Sequence, residues 1–559
     1  FDGLIHSIQD NKGERNYGPT IILEHRLEEE LVIFTLYGHL SRTSLSGKKE
    51  GMTIKRGERI GTIGPRPENG NWPPHLHFQV MLDMLGMKGD FPGVGFPYLW
   101  EVWKSICPDP GLLIGRPTST APTPPDKKEI LDRRAHSLGP NLSISYREPQ
   151  HIVRGYMQYL YDETGRRYLD TVNNVAHVGH EHPRVVRAAQ RQLAVLNTNT
   201  RYLHHQVVDY AEELLAKLPE ALEVVYFVNS GSEANELALR LARTCTGRQD
   251  MIALQVGYHG HTSACIDVSS YKFEGKGGRG APATTHIIPM PDPYRGPYHR
   301  EDADAGRRYA EAVDEALSQM KRLDREAAGL IAESIMSCGG QIVPPEGFLA
   351  EAYRRVRRAG GVCIADEVQT GFGRVGTHFW AFEQQGVTPD IVTMGKPIGN
   401  GHPLAAVATT RAIAEAFDNG MEYFNTFGGN PVSCAVGREV LAIIEAEGLQ
   451  QHALETGAYL NQCLLQLRQD HPIIGDVRGP GLFQGVELVR DTDTLEPATE
   501  EAGYLVNRMR RKSILMSTDG PFENVLKIKP PMCFNRKNVD FLIDQLNEVF
   551  AESFMNFPD

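Results

Sequence analysis

Short alternating or apolar runs fill the first part of the chain, at residues 20–25, 31–36 and 75–80. Glycine and proline turns at Gly61, Gly64-Pro65 and Pro73-Pro74 separate them. Runs of this length and punctuation predict an all-β domain over residues 1–114. Proline, threonine and serine dominate residues 115–126, which read as an extended linker. From residue 127 the texture changes. Helical segments alternate with buried apolar runs at 222–228, 251–254, 286–288, 329–332, 361–365 and 391–393. Strands separated by helices predict a mostly parallel sheet covered on both faces. Residues 474–550 mix strands with amphipathic helices, as a smaller α+β domain does. The expected fold class is therefore α/β. Its large domain spans about 185–440, its small domain is built from 127–184 and 441–559, and a mainly-β domain precedes both.

Composition narrows the partners. A chain of 559 residues is long for one core, so more than one domain is expected. The net charge of −12 argues against broad binding to nucleic acid or an anionic membrane, and leaves room for local positive sites that take small anions. No apolar run approaches the ~20 residues that cross a bilayer. The chain begins at Phe1 without a visible signal peptide and reads as part of something longer. Eight cysteines with no C-x-x-C pair fit reduced thiols in a cytoplasmic protein.

The candidate chemistry centres on Lys396, in Thr393-Met394-Gly395-Lys396-Pro397, and on Asp366, in Ile364-Ala365-Asp366-Glu367-Val368-Gln369. A lysine in a glycine-lined turn can reach an aldehyde with its amine. An aspartate closing an apolar strand can hold a positive charge in a dry site. Pyridoxal phosphate (PLP) chemistry uses that pair, as Schiff-base lysine and partner of the pyridinium nitrogen. Asn229-Ser230-Gly231-Ser232-Glu233 opens an apolar helix, and small residues at a helix N-terminus suit a phosphate. An ordinary serine N-cap explains the same residues. Tyr258, on a loop after a strand, can stack on a ring or simply pack on its neighbours. Thr426 can donate to a phosphate or act as a simple cap.

These motifs, in this order, resemble the class III aminotransferases of PLP fold type I, from about residue 127 to the end. The resemblance implies PLP as cofactor, Lys396 as its Schiff-base lysine and Asp366 as partner of its ring nitrogen. It places Gln369 near the ring hydroxyl, Val368 beneath the ring, Tyr258 stacked on it, and Ser230, Gly231 and Ser232 at the cofactor phosphate. Thr426 would reach the cofactor of a partner subunit, so a homodimer or larger homo-oligomer is implied.

Five further stretches, including Asn173-Asn174-Val175-Ala176-His177, Ala332-Glu333-Ser334-Ile335-Met336 and Leu526-Lys527-Ile528-Lys529-Pro530, resemble one branch of that family, the ethanolamine-phosphate and phosphohydroxylysine phospho-lyases. Many transaminases clamp a substrate carboxylate with an arginine near the C-terminus. The matching position here is Lys527, with Lys529 two residues on. A lysine point charge there can suit a phosphate or be structural; with Tyr202 and Glu333 the two lysines are the candidate substrate residues. The implied reaction eliminates phosphate and ammonia from a small phosphorylated amine. With ethanolamine phosphate it gives acetaldehyde, ammonia and phosphate, and needs no amino acceptor. An ω-aminotransferase is the alternative that the cofactor residues alone leave open.

In the first domain, Tyr37-Gly38-His39-Leu40-Ser41 and His75-Leu76-His77-Phe78 resemble lysostaphin-like zinc peptidases. An H-x-H on a strand puts both imidazoles on one face. The resemblance makes His77 a zinc ligand and His39 and His75 the peptidase-type catalytic histidines. It draws two more ligands from a motif upstream of a segment like Phe1-Asp2-Gly3-Leu4-Ile5, and His6 and Asp10 do not match that placement. A catalytic zinc needs three protein ligands, so zinc is not expected from these residues alone. A structural or docking module is the expectation here, and a cell-wall peptidase or peptidoglycan-binding protein the alternative.

Overall fold

The computed structural model describes residues 1–27, 32–95, 100–114 and 126–556. Residues 115–125, read as linker, lie outside the described residues. Contacts gather the chain into two compact units, one of Phe1–Arg154 with Leu160–Arg167, the other of Gly155–Tyr159 with Tyr168–Asp559. Residues 126–154 group with the first unit. The helix Lys127–Ser137 buries none of its residues.

The first unit holds a five-stranded antiparallel sheet in the order Thr53–Ile54, Gly3–Asn11, Gly18–Arg26, Val32–Gly38, His77–Met81. Alternation along Gly18–Arg26 sends Ile21 and Leu23 to one cluster, with Ile5 and Ile54, and Ile22 to another, with Leu36 and Met81. Both faces of the sheet are therefore covered.

The second unit is built on a seven-stranded sheet, ordered Thr285–Ile288, Asp250–Leu254, Ala327–Glu333, Val362–Asp366, Ile391–Met394, Ala405–Thr409, Val224–Val228. The first four pairings are parallel and the last two antiparallel. Its strands read as continuous apolar runs because both faces are buried. Met251, Ala253, Ile331 and Ile364 pack with Leu237 and Leu241 of the helix Gly231–Thr246. Ile252, Leu254, Leu330 and Cys363 pack with Val313, Phe348 and Val356 from the helices Ala305–Arg322 and Phe348–Arg358. A second, antiparallel sheet runs Ile474–Arg478, Gln484–Leu488, Val525–Ile528, Ser517–Asp519. Among the described residues no helix is long and apolar enough to cross a membrane.

Candidate active site

In a parallel sheet the strand ends on one edge are neighbours, and ligands collect outside the carboxyl edge. Here Glu333 stands opposite Asp366, and Asp366 opposite Thr393, at that edge. Past Met394 the chain turns at Gly395 into Lys396, which adopts a left-handed φ of 34°. A Cβ on Gly395 would lie 3.1 Å from Val368 Cγ1 and 3.2 Å from Gly231 Cα, so the close approach of three turns fixes glycine there. Beyond these turns lies a cavity of about 400 Å³, lined among others by Ser230, Gly231, Ser232, Tyr258, Glu333, Asp366, Val368, Gln369 and Lys396. Of the residues predicted for the cofactor, all but Thr426 meet there.

Asp366 is held on three sides. Asn235 Nδ2 donates to its Oδ2 at 2.8 Å, His259 Nδ1 lies 2.8 Å from the same oxygen, and the Val368 N–H donates to Oδ1 at 3.0 Å. His259 Nε2 and Asn235 Oδ1 are buried without a partner. Neither residue stood out in the sequence. Their link to Asp366 crosses from the helix Gly231–Thr246 and the loop after Asp250–Leu254, and no local pattern carries it.

Glu333 accepts from the backbone N–H groups of Ser337 at 3.1 Å and Tyr258 at 3.4 Å. Burial, reinforced by Asp366, pushes its carboxyl up to about 7, against the pull of His259 and the backbone donors. A carboxyl raised in the fold contributes stability that is complete below the unfolded value of 4.5 and lost as pH rises through about 7. Glu333→Gln in cofactor-free protein is thus expected to melt roughly 2–4 °C above wild type near pH 8. The two should converge toward pH 5. A gap that does not change with pH would remove this account.

The helix Gly231–Thr246 points its N-terminus into the cavity. Ser230 Oγ accepts from the Glu233 N–H at 3.2 Å, so Ser230 is a true N-cap, and Gly231 and Ser232 still line the cavity. Glu233 Oε2 ties the turn down, accepting from Asn229 N at 2.8 Å and Asn425 Nδ2 at 3.1 Å.

The predicted substrate residues scatter. Glu333 lines the cavity. Tyr202 is 68% exposed, and neither it nor the exposed Thr426 lies on the cavity wall. Lys529 is buried, its Nζ donating to Ser337 Oγ at 2.6 Å and to Gln369 Oε1 and Asp519 Oδ2 at 3.3 Å each. Burial lowers its pKa, with Asp519 opposing. Lys527 pairs with Asp519 Oδ1 at 3.0 Å. Lys529 therefore reaches the site through Gln369, and Lys527 through Asp519. His402, which also lines the cavity and bonds Ser433 Oγ at 2.9 Å, was not anticipated.

In the first unit, His39, His75 and His77 draw together. The His39 ring lies 4.5 Å from that of His75 and 6.1 Å from that of His77. The expectation that His75 and His77 share a strand face is not met. The strand begins at His77, paired with Gly38, where its neighbour Val32–Gly38 ends. His75 has no ladder partner and turns its Nδ1 to Pro73 O at 2.7 Å. Among the described residues no group of three or more His, Cys, Asp or Glu is arranged to hold a metal ion.

Comparison with known proteins agrees with this geometry. The family model "Aminotransferase class-III" matches residues 145–550, and "Peptidase family M23" matches residues 1–87. The chain belongs to the class III aminotransferase family, whose cofactor is pyridoxal phosphate, and carries an M23-type domain ahead of it. It is 53% identical over 420 residues to "Alanine--glyoxylate aminotransferase 2-like" of Drosophila melanogaster, covering 74% of this chain and 85% of that one. It is 43% identical over 438 residues to "Ethanolamine-phosphate phospho-lyase homolog 1" of Caenorhabditis elegans, covering 76% and 94%. A solved phospholyase from Arthrobacter in complex with phosphoethanolamine superimposes with a TM-score of 0.72 at 38% identity, over 76% of this chain and 99% of that chain. The cavity fits the cofactor. An amine on its wall, a fixed buried carboxylate and a helix N-terminus are the groups pyridoxal phosphate uses.

Proposed function

We propose that this chain is a PLP-dependent phospho-lyase that eliminates phosphate and ammonia from a small phosphorylated amine such as ethanolamine phosphate. One observation carries the reading. Where many transaminases set a guanidinium fork for a carboxylate, this chain sets two lysines around Asp519, behind Gln369 of the cavity wall. An ammonium binds a phosphate as a point charge, and without a guanidinium this position has no bidentate fork to clamp a carboxylate. Likeness to the Arthrobacter phospholyase and the nematode homologue supports it.

In this reading Ser230, Gly231 and Ser232 would hold the cofactor phosphate at the helix N-terminus, Tyr258 and Val368 would flank its ring, Gln369 would stand by the ring hydroxyl, and Asp366 would keep the ring nitrogen protonated. When bound, pyridoxal phosphate supplies the electron sink that makes the proton on the amine-bearing carbon labile. Lys396 removes that proton with its amine. The bonding pair left behind expels phosphate from the next carbon with its C–O electrons. One water then completes the balance to acetaldehyde, ammonia and phosphate. Thr426 serves the cofactor of a second copy across a homodimer. The exposed Leu203, Met421 and Phe427 supply apolar surface for that copy, on segments joined by the Arg201–Glu422 pair at 3.0 Å. Eight free cysteines support a cytoplasmic setting. The M23-type unit acts as a structural or docking module.

The test is phosphate release from ethanolamine phosphate with no 2-oxo acid present. Equal amounts of phosphate, acetaldehyde and ammonia are expected. The competing reading, an ω-aminotransferase, draws on the fly relative's printed name. It would be right if turnover began only on adding pyruvate or 2-oxoglutarate.

A further inference from the structure

One cation beside the cavity has no task in the reading above. Lys272 is exposed, on the short helix Ser270–Phe273 that follows the Tyr258 loop. Its ammonium lies 5.5 Å from the ring centre of Tyr258 and 5.1 Å from that of Tyr271. The two rings meet edge to face at 6.1 Å, and Tyr258 forms part of the cavity wall. Among the described residues Lys272 has no carboxylate within ion-pair distance, and the faces of two tyrosines are what hold it.

Burial raises the Tyr271 hydroxyl's pKa, and the charges of Cys338, Asp519 and Glu523 add to it. Asp519 is the carboxylate shared by Lys527 and Lys529. One carboxylate between two ammonium groups leaves one positive charge in excess, and Lys272 adds a second. Two carboxylates bear on this charge: exposed Glu523, which acts on Tyr271, and Glu274, two residues from Lys272, which accepts from Ser270 Oγ. A phosphate monoester brings about 1.5 to 2 negative charges at neutral pH.

The three lysines differ in freedom. Lys529 spends its donors on Ser337, Gln369 and Asp519, and Lys527 is tied to Asp519. Lys272 gives up only a ring face, a weaker hold on an ammonium than a charge-assisted hydrogen bond to phosphate. We propose that Lys272 is a specificity-determining residue that takes the phosphate of the phosphorylated amine beside Tyr258 of the cavity wall. This rests on the lyase reading, and it names the group that selects the substrate.

The test compares wild type with Lys272→Ala and Lys272→Arg as holoenzymes of equal cofactor content, judged by visible absorbance. KM and kcat are measured for ethanolamine phosphate, and binding of inorganic phosphate is followed by calorimetry. Lys272→Ala should raise KM about tenfold or more and weaken phosphate binding in parallel, as loss of a hydrogen bond to a charged group does. Its kcat should hold within about threefold where proton removal limits turnover, because the extra charge on phosphate develops only as the C–O bond breaks. Lys272→Arg should recover most of the loss. KM and phosphate affinity both unchanged within about twofold would overturn the proposal, and so would an equal loss of affinity for unphosphorylated ethanolamine. If the wild type releases no phosphate, the lyase reading has failed by itself. The calorimetric arm then still decides whether Lys272 binds phosphate.

Discussion

Lys396→Ala is expected to lower turnover of a phosphorylated amine by about four orders of magnitude, the upper range for a positioned acid–base group, and to abolish the visible absorbance of the bound cofactor. The size follows from the cavity wall. Among the described residues that line it, Lys396 carries the sole amine, and its Nζ has no hydrogen bond or ion pair holding it elsewhere. Lys529 stands behind Gln369, with its ammonium committed to Ser337, Gln369 and Asp519, and cannot substitute. The variant should fold, since Lys396 is only half-buried and alanine at its φ of 34° bears no more strain than lysine. Added methylamine should restore part of the rate by supplying the missing base. Activity retained within about tenfold, or rescue without any amine, would assign the proton transfer to another group.

The sequence made this lysine legible because its signal is local. Gly395-Lys396 and the Asp366-Glu367-Val368-Gln369 run sit at the ends of apolar strands, and the turn chemistry lies in consecutive residues. The alternation of strand and helix that makes the sheet parallel was equally visible. What escaped is what distance creates. The strand Ala405–Thr409 is mostly alanine, a helix former by propensity, and becomes a strand because Ile391–Met394 and Val224–Val228 pair with it on either side. Asn235 looks like any polar residue early in a helix until the fold sets its amide 2.8 Å from Asp366. Lys529 reads as a candidate substrate residue in sequence and is buried in the structure. His75 reads as strand by alternation, yet a ladder needs a neighbour, and the one beside it ends at Gly38.

Asp366→Asn carries the second large effect, and its direction comes from the donors around the carboxylate. Asn235 Nδ2 and His259 Nδ1 converge on Oδ2, while the Val368 N–H meets Oδ1. A carboxylate accepts from all three. An asparagine amide has one accepting end, so whichever way it turns, an N–H must face an N–H. The variant loses both the charge that would hold a protonated ring nitrogen and a satisfied wall. A fall in kcat/KM of about 10²–10³-fold is expected, the range for removing one preorganised electrostatic contact. Cofactor should also be lost faster on dialysis. Melting of the cofactor-free variant separates the two causes. The unsatisfied donor alone costs about 1–3 kcal/mol, which lowers the melting temperature without touching chemistry. Asn235→Ala supplies the comparison, because it removes one donor to Asp366 and leaves the charge. If the charge is what the reaction needs, Asn235→Ala keeps most of its rate while Asp366→Asn does not. Equal losses in the two variants would mean that Asp366 acts by holding the wall together, and a rate within about threefold of wild type for Asp366→Asn would remove it from the chemistry.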